Sequence, residues 1–304
     1  MTKRQPTRQA KPMDRRRLLL GLALAPAARA AFAEGAASDG LTLTLSATLA
    51  GASAPLAAGL HWRIYGVEAD ADGHFPMVRE STLTQPVLTI PRGDYVVHVA
   101  FGLASAAQRV FLEGDARTLQ LTLKAGALRI VGMQGDQKID PARLSIDIYV
   151  PERNNPVAKL VLAKARIGEA IGVPEGAYHI SSTLMQLAGA AKGALATPTN
   201  STASGDVRVA SGKIVDVTMR HRFATLTLKL VNAPGAEALA NSSFTVLTPG
   251  GDLIGELIGA FPSIVLAEGD YVAVARHDSK TYQGDFSVKS GEDRDVEVLA
   301  KEGT

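Results

Sequence analysis

Three segments of the sequence place a glycine two residues before a tyrosine, at the start of an apolar stretch. They are PRGDYVVHVA from Pro91, PEGAYHISS from Pro174 and LAEGDYVAVA from Leu266. The tyrosines of these segments are separated by 83 and 93 residues. Such a period has the length of a small domain and is too long for a solenoid repeat. A step that recurs at this spacing indicates an architectural feature shared by three units.

Apolar and polar residues alternate with a period of two around each of these segments. Each unit opens on such a stretch (LTLTLSA, ALRIVG or TLTLKLV) and closes on another (TLQLTL, VDVTMRH or DVEVLA). This alternation places one face of a strand in a core and the other in solvent. Each unit holds about seven short strands with turns roughly every 8 to 12 residues, as in immunoglobulin-like sandwiches. The sequence therefore predicts an all-β fold of three tandem seven-stranded sandwiches.

The predicted domains are residues 40–126, 127–224 and 225–304. Near each boundary the last strand of one unit runs almost directly into the first strand of the next. The linkers Ala125–Ala127 and Arg222–Ala224 are short enough to hold neighbouring units in a semi-rigid row. The middle unit also carries about 15 extra residues within an insertion at 184–206, which is rich in Ala, Gly, Ser and Thr. We expect a loop here, either a contact site or a disordered segment.

The order of elements in each unit resembles that of the carboxypeptidase-regulatory-like, or transthyretin-like, sandwiches that occur in tandem in secreted bacterial proteins. The shared order is Gly, Asp or Ala, Tyr, an apolar strand, a variable loop, a strand, a Gly turn and an alternating strand. The resemblance covers most of residues 40–304. It implies non-catalytic spacer, adhesion or recognition modules. Because the chain has no attached enzyme or von Willebrand domain, the resemblance leaves its task open.

The Gly-x-Tyr step itself is predicted to be a structural corner. The glycines are expected to supply a turn conformation closed to other residues, and the tyrosines to bury their rings. Each hydroxyl would return to the main chain, as in the tyrosine corner of related sandwiches. The corner positions are Gly93, Tyr95, Gly176, Tyr178, Gly269 and Tyr271.

The N-terminus predicts export. The basic segment DRRRLLL from Asp14 precedes a short apolar run, GLALA, and two A-x-A cleavage sites, Ala28–Ala30 and Ala31–Ala33. Residues 1–33 are therefore predicted to be a signal peptide, because the apolar run is too short to span a bilayer. The paired arginines resemble the twin-arginine (Tat) class. A Sec-type signal is the alternative, since Asp14, Leu18 and Leu20 depart from the Tat pattern.

Removal of this segment changes the charge of the chain. Residues 1–33 hold eight Lys or Arg and one Asp, a formal charge of +7, so removing them from the chain's +2 leaves −5. The basic excess that would favour nucleic acid or anionic lipid is then gone. No later segment is apolar enough for a membrane span, and the lack of cysteine excludes disulfides, thiolate zinc sites and thiol catalysis. The predicted location is the periplasm or the exterior.

Residues 68–73, EADADG, resemble the start of a calcium loop, where alternate acidic residues supply ligands. The pattern then fails, because the twelfth position is Arg79 and not the bidentate glutamate of such loops. A solvated hairpin loop is the favoured interpretation. No metal site and no cofactor are therefore predicted.

Catalytic signatures are absent from the sequence. The six histidines (61, 74, 98, 179, 221 and 277) form no H-E-x-x-H or H-x-H pattern, and no G-x-S-x-G elbow occurs. A hydrolase would require His and carboxylate side chains to converge in a pocket. No catalytic residue is predicted, and a hydrolase is the least favoured function.

Trp62 and Tyr65, on the second predicted strand, are weak ligand candidates. Core packing is the favoured role of both, whereas an exposed aromatic face would favour sugar binding. The predicted function is that of an exported, non-catalytic scaffold or recognition protein of the bacterial envelope that binds another envelope protein. Its exposed strand edges offer a physical route to a partner. A carbohydrate-binding protein, with polysaccharide as the partner, is the alternative.

Overall fold

The structure is a computed structural model that describes residues 40–152, 155–187 and 196–301, with only the backbone of residues 155–157. The predicted signal peptide, residues 1–33, lies outside this part. Nearly all regular structure within it is strand, with one 3-10 turn at Pro141–Arg143. No helix in these ranges has the length and apolar character needed to cross a membrane.

Residues 40–123 form sandwich 1, in which a three-stranded sheet faces a four-stranded sheet. Its strands are β1 (Gly40–Leu49), β2 (Leu60–Gly66), β3 (Met77–Ser81), β4 (Val87–Pro91), β5 (Gly93–Phe101), β6 (Ala104–Leu112) and β7 (Ala116–Leu123). The sheet orders are β4-β1-β7 and β3-β2-β5-β6. Strand β1 pairs antiparallel with β4 and parallel with β7.

Residues 125–220 form sandwich 2, which repeats this arrangement. Its strands are β8 (Ala125–Gln134), β9 (Gln137–Lys138), β10 (Leu144–Glu152), β11 (Asn155–Leu162), β12 (Ala170–Pro174), β13 (Gly176–Leu187), β14 (Ala196–Val209) and β15 (Ile214–Arg220). The sheet orders are β12-β8-β15, with the short β9 paired to β8, and β11-β10-β13-β14.

Residues 223–299 form sandwich 3. Its strands are β16 (Phe223–Val231), β17 (Ser243–Leu247), β18 (Leu253–Ile258), β19 (Ser263–Ala267), β20 (Gly269–His277), β21 (Lys280–Val288) and β22 (Arg294–Leu299). The sheet orders are β19-β16-β22 and β18-β17-β20-β21. The same three-plus-four arrangement thus occurs three times, which confirms the predicted all-β class of seven-stranded sandwiches.

Alternating burial along the strands builds the cores. In β1 the side chains of Leu41, Leu43 and Leu45 are fully buried, whereas the intervening Thr42 is exposed. Each sandwich has its own buried apolar cluster drawn from both sheets. Burial of one leucine side chain is worth about 1.5–3 kcal/mol. The period-two pattern is therefore the main determinant of which face each strand turns inward.

The corner tyrosines are buried, and each hydroxyl donates to the carbonyl oxygen of the residue four positions earlier. The bonds are Tyr95 to Pro91 at 3.1 Å, Tyr178 to Pro174 at 2.7 Å and Tyr271 to Ala267 at 2.9 Å. Burial raises the pKa of Tyr178 and of Tyr271, which keeps these hydroxyls protonated and able to donate. Each bond holds the end of an edge strand against the first residues of the next strand.

The corner glycines differ from one another. Gly93 and Gly269 have φ angles of 152° and 154°, a region that side chains with a Cβ disfavour. Gly176 has no positive φ, and a Cβ placed there would meet no atom within 4 Å. The prediction of a glycine-specific conformation is therefore wrong for Gly176, where the backbone makes the same corner in a conformation open to other residues.

The interpretation of residues 184–206 as a loop insertion is also wrong for the part that the structure describes. Strands β13 and β14 pair across it, with Met185 opposite Pro198 and Leu187 opposite Ala196, after a register shift near Thr183. Residues 188–195 lie outside the described ranges. The backbone hydrogen bonds of an antiparallel hairpin outweigh the low strand propensity of Ala, Gly and Ser. The described parts of the segment, up to Leu187 and from Ala196, extend the hairpin.

Replacement of Gly269 by alanine should destabilise the protein by about 1–3 kcal/mol, because it forces a Cβ into a disfavoured backbone region. Gly176→Ala is the matched control, and it should change stability by less than about 1 kcal/mol. Thermal unfolding followed by circular dichroism compares the two. Equal effects of the two substitutions would contradict the difference in backbone conformation.

Candidate functional site

Trp62 lies in the core of sandwich 1 and is fully buried. It points inward because β2 turns Leu60, Trp62 and Ile64 towards the facing sheet. The favoured prediction of core packing is therefore confirmed for Trp62, and the weaker prediction of a ligand contact is wrong, because a buried ring offers no face to a ligand.

Tyr65, the other candidate, is half-buried and lines a shallow, almost wholly apolar groove of about 390 Å³ together with His74, Phe75 and Val96. We call these four residues the aromatic groove. Tyr65 lies opposite Val96 in the pairing of β2 with β5. The hydrogen-bonded strands therefore hold these two side chains of the groove next to each other. Phe75 closes the third side with 58% of its surface exposed. Phe75, Tyr65 and Val96 thus form one apolar patch, and a contiguous apolar patch open to solvent is typical of a contact surface.

The loop at residues 68–74 shapes one wall of this groove. The Asp70 carboxylate accepts hydrogen bonds from the backbone N–H groups of Asp72, at 3.0 Å, and His74, at 2.8 Å. Asp70, Asp72 and His74 are exposed, and one ligand atom from each lies within 4.8 Å of the others. Arg79 lies on β3 opposite Ile64, so the twelfth position of the calcium pattern does not return to the loop. The Asp70 carboxylate thus serves the loop's own turn, and the calcium pattern is not completed.

Four of the six histidines have a carboxylate within 4 Å, which the scattered sequence positions did not indicate. The pairs are His61 with Glu80 at 3.3 Å, His74 with Asp70 at 3.8 Å, His179 with Asp206 at 2.7 Å and His277 with Asp278 at 3.2 Å. Each pair has at least one largely exposed member and stands apart from the others. They are surface contacts between a histidine and a carboxylate, and such exposed pairs contribute little to stability.

A different histidine, His221, is buried between two serines. Its Nε2 lies 2.8 Å from the Ser182 hydroxyl, and its Nδ1 lies 3.2 Å from the Ser201 hydroxyl. The three side chains are between 0% and 3% exposed. His221 is the first of the two residues between β15 and β16, and its backbone N–H donates to the Met133 carbonyl on β8. The cluster ties the start of the linker to both strands of the extended hairpin.

This hairpin also covers the edge strand of the next sandwich. The Gln186 side chain accepts a hydrogen bond from the Val265 N–H at 3.0 Å and donates one to the Ser263 carbonyl at 3.1 Å. Both partners lie on β19, the outer strand of the sheet β19-β16-β22. One amide side chain thus occupies a donor and an acceptor that a neighbouring strand would otherwise bind.

Asn200 also binds an outward backbone group of β19, two residues after Val265. Its side-chain oxygen accepts from the Ala267 N–H at 2.9 Å, and its side-chain nitrogen donates to the Tyr271 hydroxyl at 2.7 Å. Tyr271 is a corner tyrosine, so the hairpin of sandwich 2 is bonded directly to the corner of sandwich 3. A small apolar cluster of Leu184, Phe223 and Val265, with Ile139 and Leu144, fills the junction.

The preceding junction is built on glycine. The Leu103 N–H, in the turn between β5 and β6, donates to the Gly172 carbonyl of β12 at 2.8 Å. A Cβ on Gly172 would lie 2.4 Å from Phe101, and one on Gly102 would lie 2.3 Å from the Gly172 oxygen. The two backbones can approach this closely because both positions are glycine. Sequence reasoning missed these positions, along with Gln186 and Asn200, because neither glycines nor isolated amides distinguish a junction from a surface turn.

Residues 225–300, about a quarter of the chain, match the family model described as the Rhizobiales growth-associated tandem repeat domain. The match coincides with sandwich 3 almost to its ends. No curated protein matches the sequence.

Several solved structures are similar over much of the chain at low identity. The Bacillus anthracis TIE protein is 15% identical over 85% of this chain, with a TM-score of 0.23, and the chain spans half of its length. A streptococcal ancillary pilin is 13% identical, covering 86% of this chain and 99% of its own, with a TM-score of 0.29. The minor pilin GBS52 of Streptococcus agalactiae is 10% identical, covering 59% and 97%, also at 0.29. TM-scores this low carry no argument about function.

The buried His221 should make stability depend on pH. Burial lowers the pKa of His221, and the hydrogen bond with Ser201 opposes this only in part. The unfolded chain takes up a proton at this histidine below about pH 6.5, whereas the folded protein resists it. Neutral His221 therefore makes its full contribution to the stability of the fold above that pH. This contribution is lost as the pH falls from there towards the lower pKa that His221 has in the folded protein.

His221→Gln removes this titration while keeping a polar side chain. The melting temperature of the parent should fall more between pH 7.5 and pH 5.5 than that of the variant, whatever the variant's stability at the higher pH. Equal losses in both proteins would contradict the assignment, because the burial of His98 also lowers its pKa and is common to both.

The hydrogen bond between Asn200 and Tyr271 should couple sandwiches 2 and 3. In a double-mutant cycle, Asn200→Ala and Tyr271→Phe should show an interaction energy of about 0.5–3 kcal/mol. Asn200→Ala with Tyr178→Phe is the matched control and should be additive, since Tyr178 bonds only within its own sandwich. Additivity in both cycles, measured by chemical denaturation, would contradict a coupling between the two sandwiches through this hydrogen bond.

Proposed function

We propose that this chain is an exported, non-catalytic recognition or scaffold protein of the bacterial envelope that binds another envelope protein through the aromatic groove. The observation that carries this proposal is the exposure of Phe75 beside Tyr65 and Val96 on a framework of paired strands. An apolar surface held open by a hydrogen-bonded loop favours a protein partner, because aromatic side chains dominate the buried centres of protein interfaces.

The separation of the polar groups supports a non-catalytic role. Nucleophilic catalysis needs a hydroxyl, a histidine and an orienting carboxylate in one accessible place. In the part of the chain that the structure describes, His221 contacts two hydroxyls but is buried and has no carboxylate partner. Among the same residues, the His179 side chain contacts Asp206 and the ring of Tyr149, and no serine or threonine hydroxyl bonds to it.

The junctions support a scaffold of three domains, predicted at residues 40–126, 127–224 and 225–304, although β8 and β16 each begin two residues before the predicted bounds. One residue separates β7 from β8, and two separate β15 from β16. The match of residues 225–300 to a tandem repeat domain supports the last domain as a repeat unit. The resemblance to carboxypeptidase-regulatory-like or transthyretin-like modules supports the same assignment. Export through the Tat-like signal at 1–33 to the periplasm or the exterior is part of the proposal.

Carbohydrate binding is the second candidate. It is favoured by the rings of Tyr65 and Phe75, which share the groove with His74, since the loop that ends at His74 also carries the exposed carboxylates of Asp70 and Asp72. Stacking rings with polar neighbours suit a sugar, which presents apolar faces and hydroxyl groups. Trp62 does not contribute, because it is buried.

Phe75→Ser should abolish most binding to the envelope partner, because it removes the largest exposed apolar side chain of the groove. Phe111→Ser is the matched control, since Phe111 is also exposed on sandwich 1, on β6, and lies outside the groove. Chemical crosslinking in envelope preparations, followed by mass spectrometry of the captured proteins, compares the two variants with the parent.

The proposal predicts a protein captured by the parent and by Phe111→Ser and lost from Phe75→Ser. Capture that survives in both variants would contradict it. Binding of the parent to purified envelope polysaccharide, lost in Phe75→Ser and not in Phe111→Ser, would favour the carbohydrate function instead.

A further inference from the structure

The three sandwiches share one edge strand that is covered in two of them. It is the outer strand of each three-stranded sheet, namely β4, β12 and β19. The turn between β5 and β6 of sandwich 1 covers β12, and the β13–β14 hairpin of sandwich 2 covers β19. The covering element in both cases follows the corner tyrosine of the preceding sandwich. Sandwich 1 is the first described, and its β4 edge has no such neighbour among the described residues.

Equivalent positions on these strands are buried where the preceding sandwich covers the strand and exposed on β4, where no described residue covers it. Thr89, Gly172 and Val265 each stand six residues before a corner tyrosine. Gly172 and Val265 are buried, whereas Thr89 is exposed. Val87, two residues earlier on β4, has 64% of its surface exposed. The covered strands and the open strand therefore differ by the presence of a preceding sandwich.

The backbone N–H and C=O groups that point away from the sheet also differ between the covered strands and the open strand. The Gly172 carbonyl accepts a hydrogen bond from Leu103, and the Val265 N–H donates one to Gln186. Thr89 pairs with Thr42 on its inner side, in the register in which Val265 pairs with Thr225. Among the described residues, no hydrogen bond reaches the outer side of Thr89. An open strand edge of this kind is a template for association.

Sandwich 3 holds a hairpin in the place of the two covering elements. The β20–β21 hairpin follows the corner tyrosine Tyr271, as the β5–β6 hairpin follows Tyr95. Its turn consists of Asp278 and Ser279, and Arg276 lies near the end of β20; all three residues are exposed. The turn is polar, but Gln186 and Asn200 show that polar side chains suffice to cover this edge.

We propose that the chain associates with itself head to tail, with the β20–β21 hairpin of one copy docked on the β4 edge of a second copy. The contact continues between chains the arrangement that joins sandwich 1 to sandwich 2 and sandwich 2 to sandwich 3. It joins two different surfaces, so it does not close into a symmetric dimer and can extend to further copies. The proposal does not depend on the aromatic groove, which lies on other strands.

Association between copies is expected to be weak. Within one chain a short linker supplies an effective concentration of about the millimolar range, which two separate copies do not have. The full chain should therefore be studied from about 0.01 to 1 mM, the upper end matching that effective concentration. Sedimentation equilibrium should show an average mass that rises with concentration and passes beyond that of a dimer.

Thr89→Lys should abolish this rise, because a charged side chain on an edge strand opposes pairing. The residue is exposed, so the variant should keep the melting temperature of the parent. Thr218→Lys is the matched control, because Thr218 is an exposed threonine on β15, at the opposite edge of a three-stranded sheet. It should associate as the parent does.

The lack of native cysteine allows the contact itself to be mapped. Copies carrying Thr89→Cys and copies carrying Thr281→Cys, mixed and treated with a short bismaleimide, should form crosslinked pairs. Copies carrying Thr89→Cys mixed with copies carrying Thr218→Cys should form at least tenfold fewer. A chain carrying both Thr89→Cys and Thr281→Cys should form a ladder of multimers.

Three results would overturn the proposal. The first is a parent that remains monomeric over the whole concentration range, together with crosslinking of Thr89→Cys to Thr281→Cys that is no greater than its crosslinking to Thr218→Cys. The second is association that Thr89→Lys leaves unchanged. The third is preferential crosslinking of Thr89→Cys to itself, since this indicates a symmetric contact between two β4 edges.

Discussion

The first and last strands of each sandwich lie side by side and run in the same direction. The pairs are β1 with β7, β8 with β15 and β16 with β22. Because the pairing is parallel, the chain leaves each sandwich at the end opposite to the one where it enters. The Gly-x-Tyr corner lies at the entry end, where Gly40, Ala125 and Phe223 pair with the last residues of the edge strands. The hairpin after the corner turns at the exit end, where the next sandwich begins. The junctions follow from this path, since a linker of one or two residues brings the hairpin of one sandwich to the edge strand of the next.

The same path explains why the two junctions use different residues. Sandwich 1 reaches β12 with a turn, and the backbones approach closely only because Gly102 and Gly172 lack side chains. Sandwich 2 has a longer hairpin that lies along β19, so side-chain amides replace the backbone contact. Both solutions occupy the outward hydrogen-bonding groups of an edge strand, which would otherwise favour unwanted pairing. The extra residues at 184–206 have, in the described part, the structural task of covering an edge.

Much of the fold could be predicted from the sequence, because strand alternation and the tyrosine period report on local geometry. Leu41, Leu43 and Leu45 are buried as their alternation indicates. The positions that join the sandwiches could not be predicted, because their roles depend on residues far away in the chain. Gln186 acquires partners 77 and 79 residues away, and no local pattern encodes those contacts. The aromatic groove was anticipated only through Tyr65; Phe75 was missed because its exposure depends on how Asp70 organises the loop before it. Trp62 packs in the core, the role that the sequence favoured, because it lies on the inward-facing side of β2 with Leu60 and Ile64.

The covering of one edge strand by the preceding sandwich can be measured directly by amide hydrogen exchange. At low protein concentration, the N–H of Val265 should exchange slowly, because Gln186 binds it, and the N–H of Thr89 should exchange rapidly. In Gln186→Ala, exchange at Val265 should accelerate while exchange within the central strand β16 stays slow. Rapid exchange at Val265 in the parent, at the rate of Thr89 and unaffected by Gln186→Ala, would contradict the account.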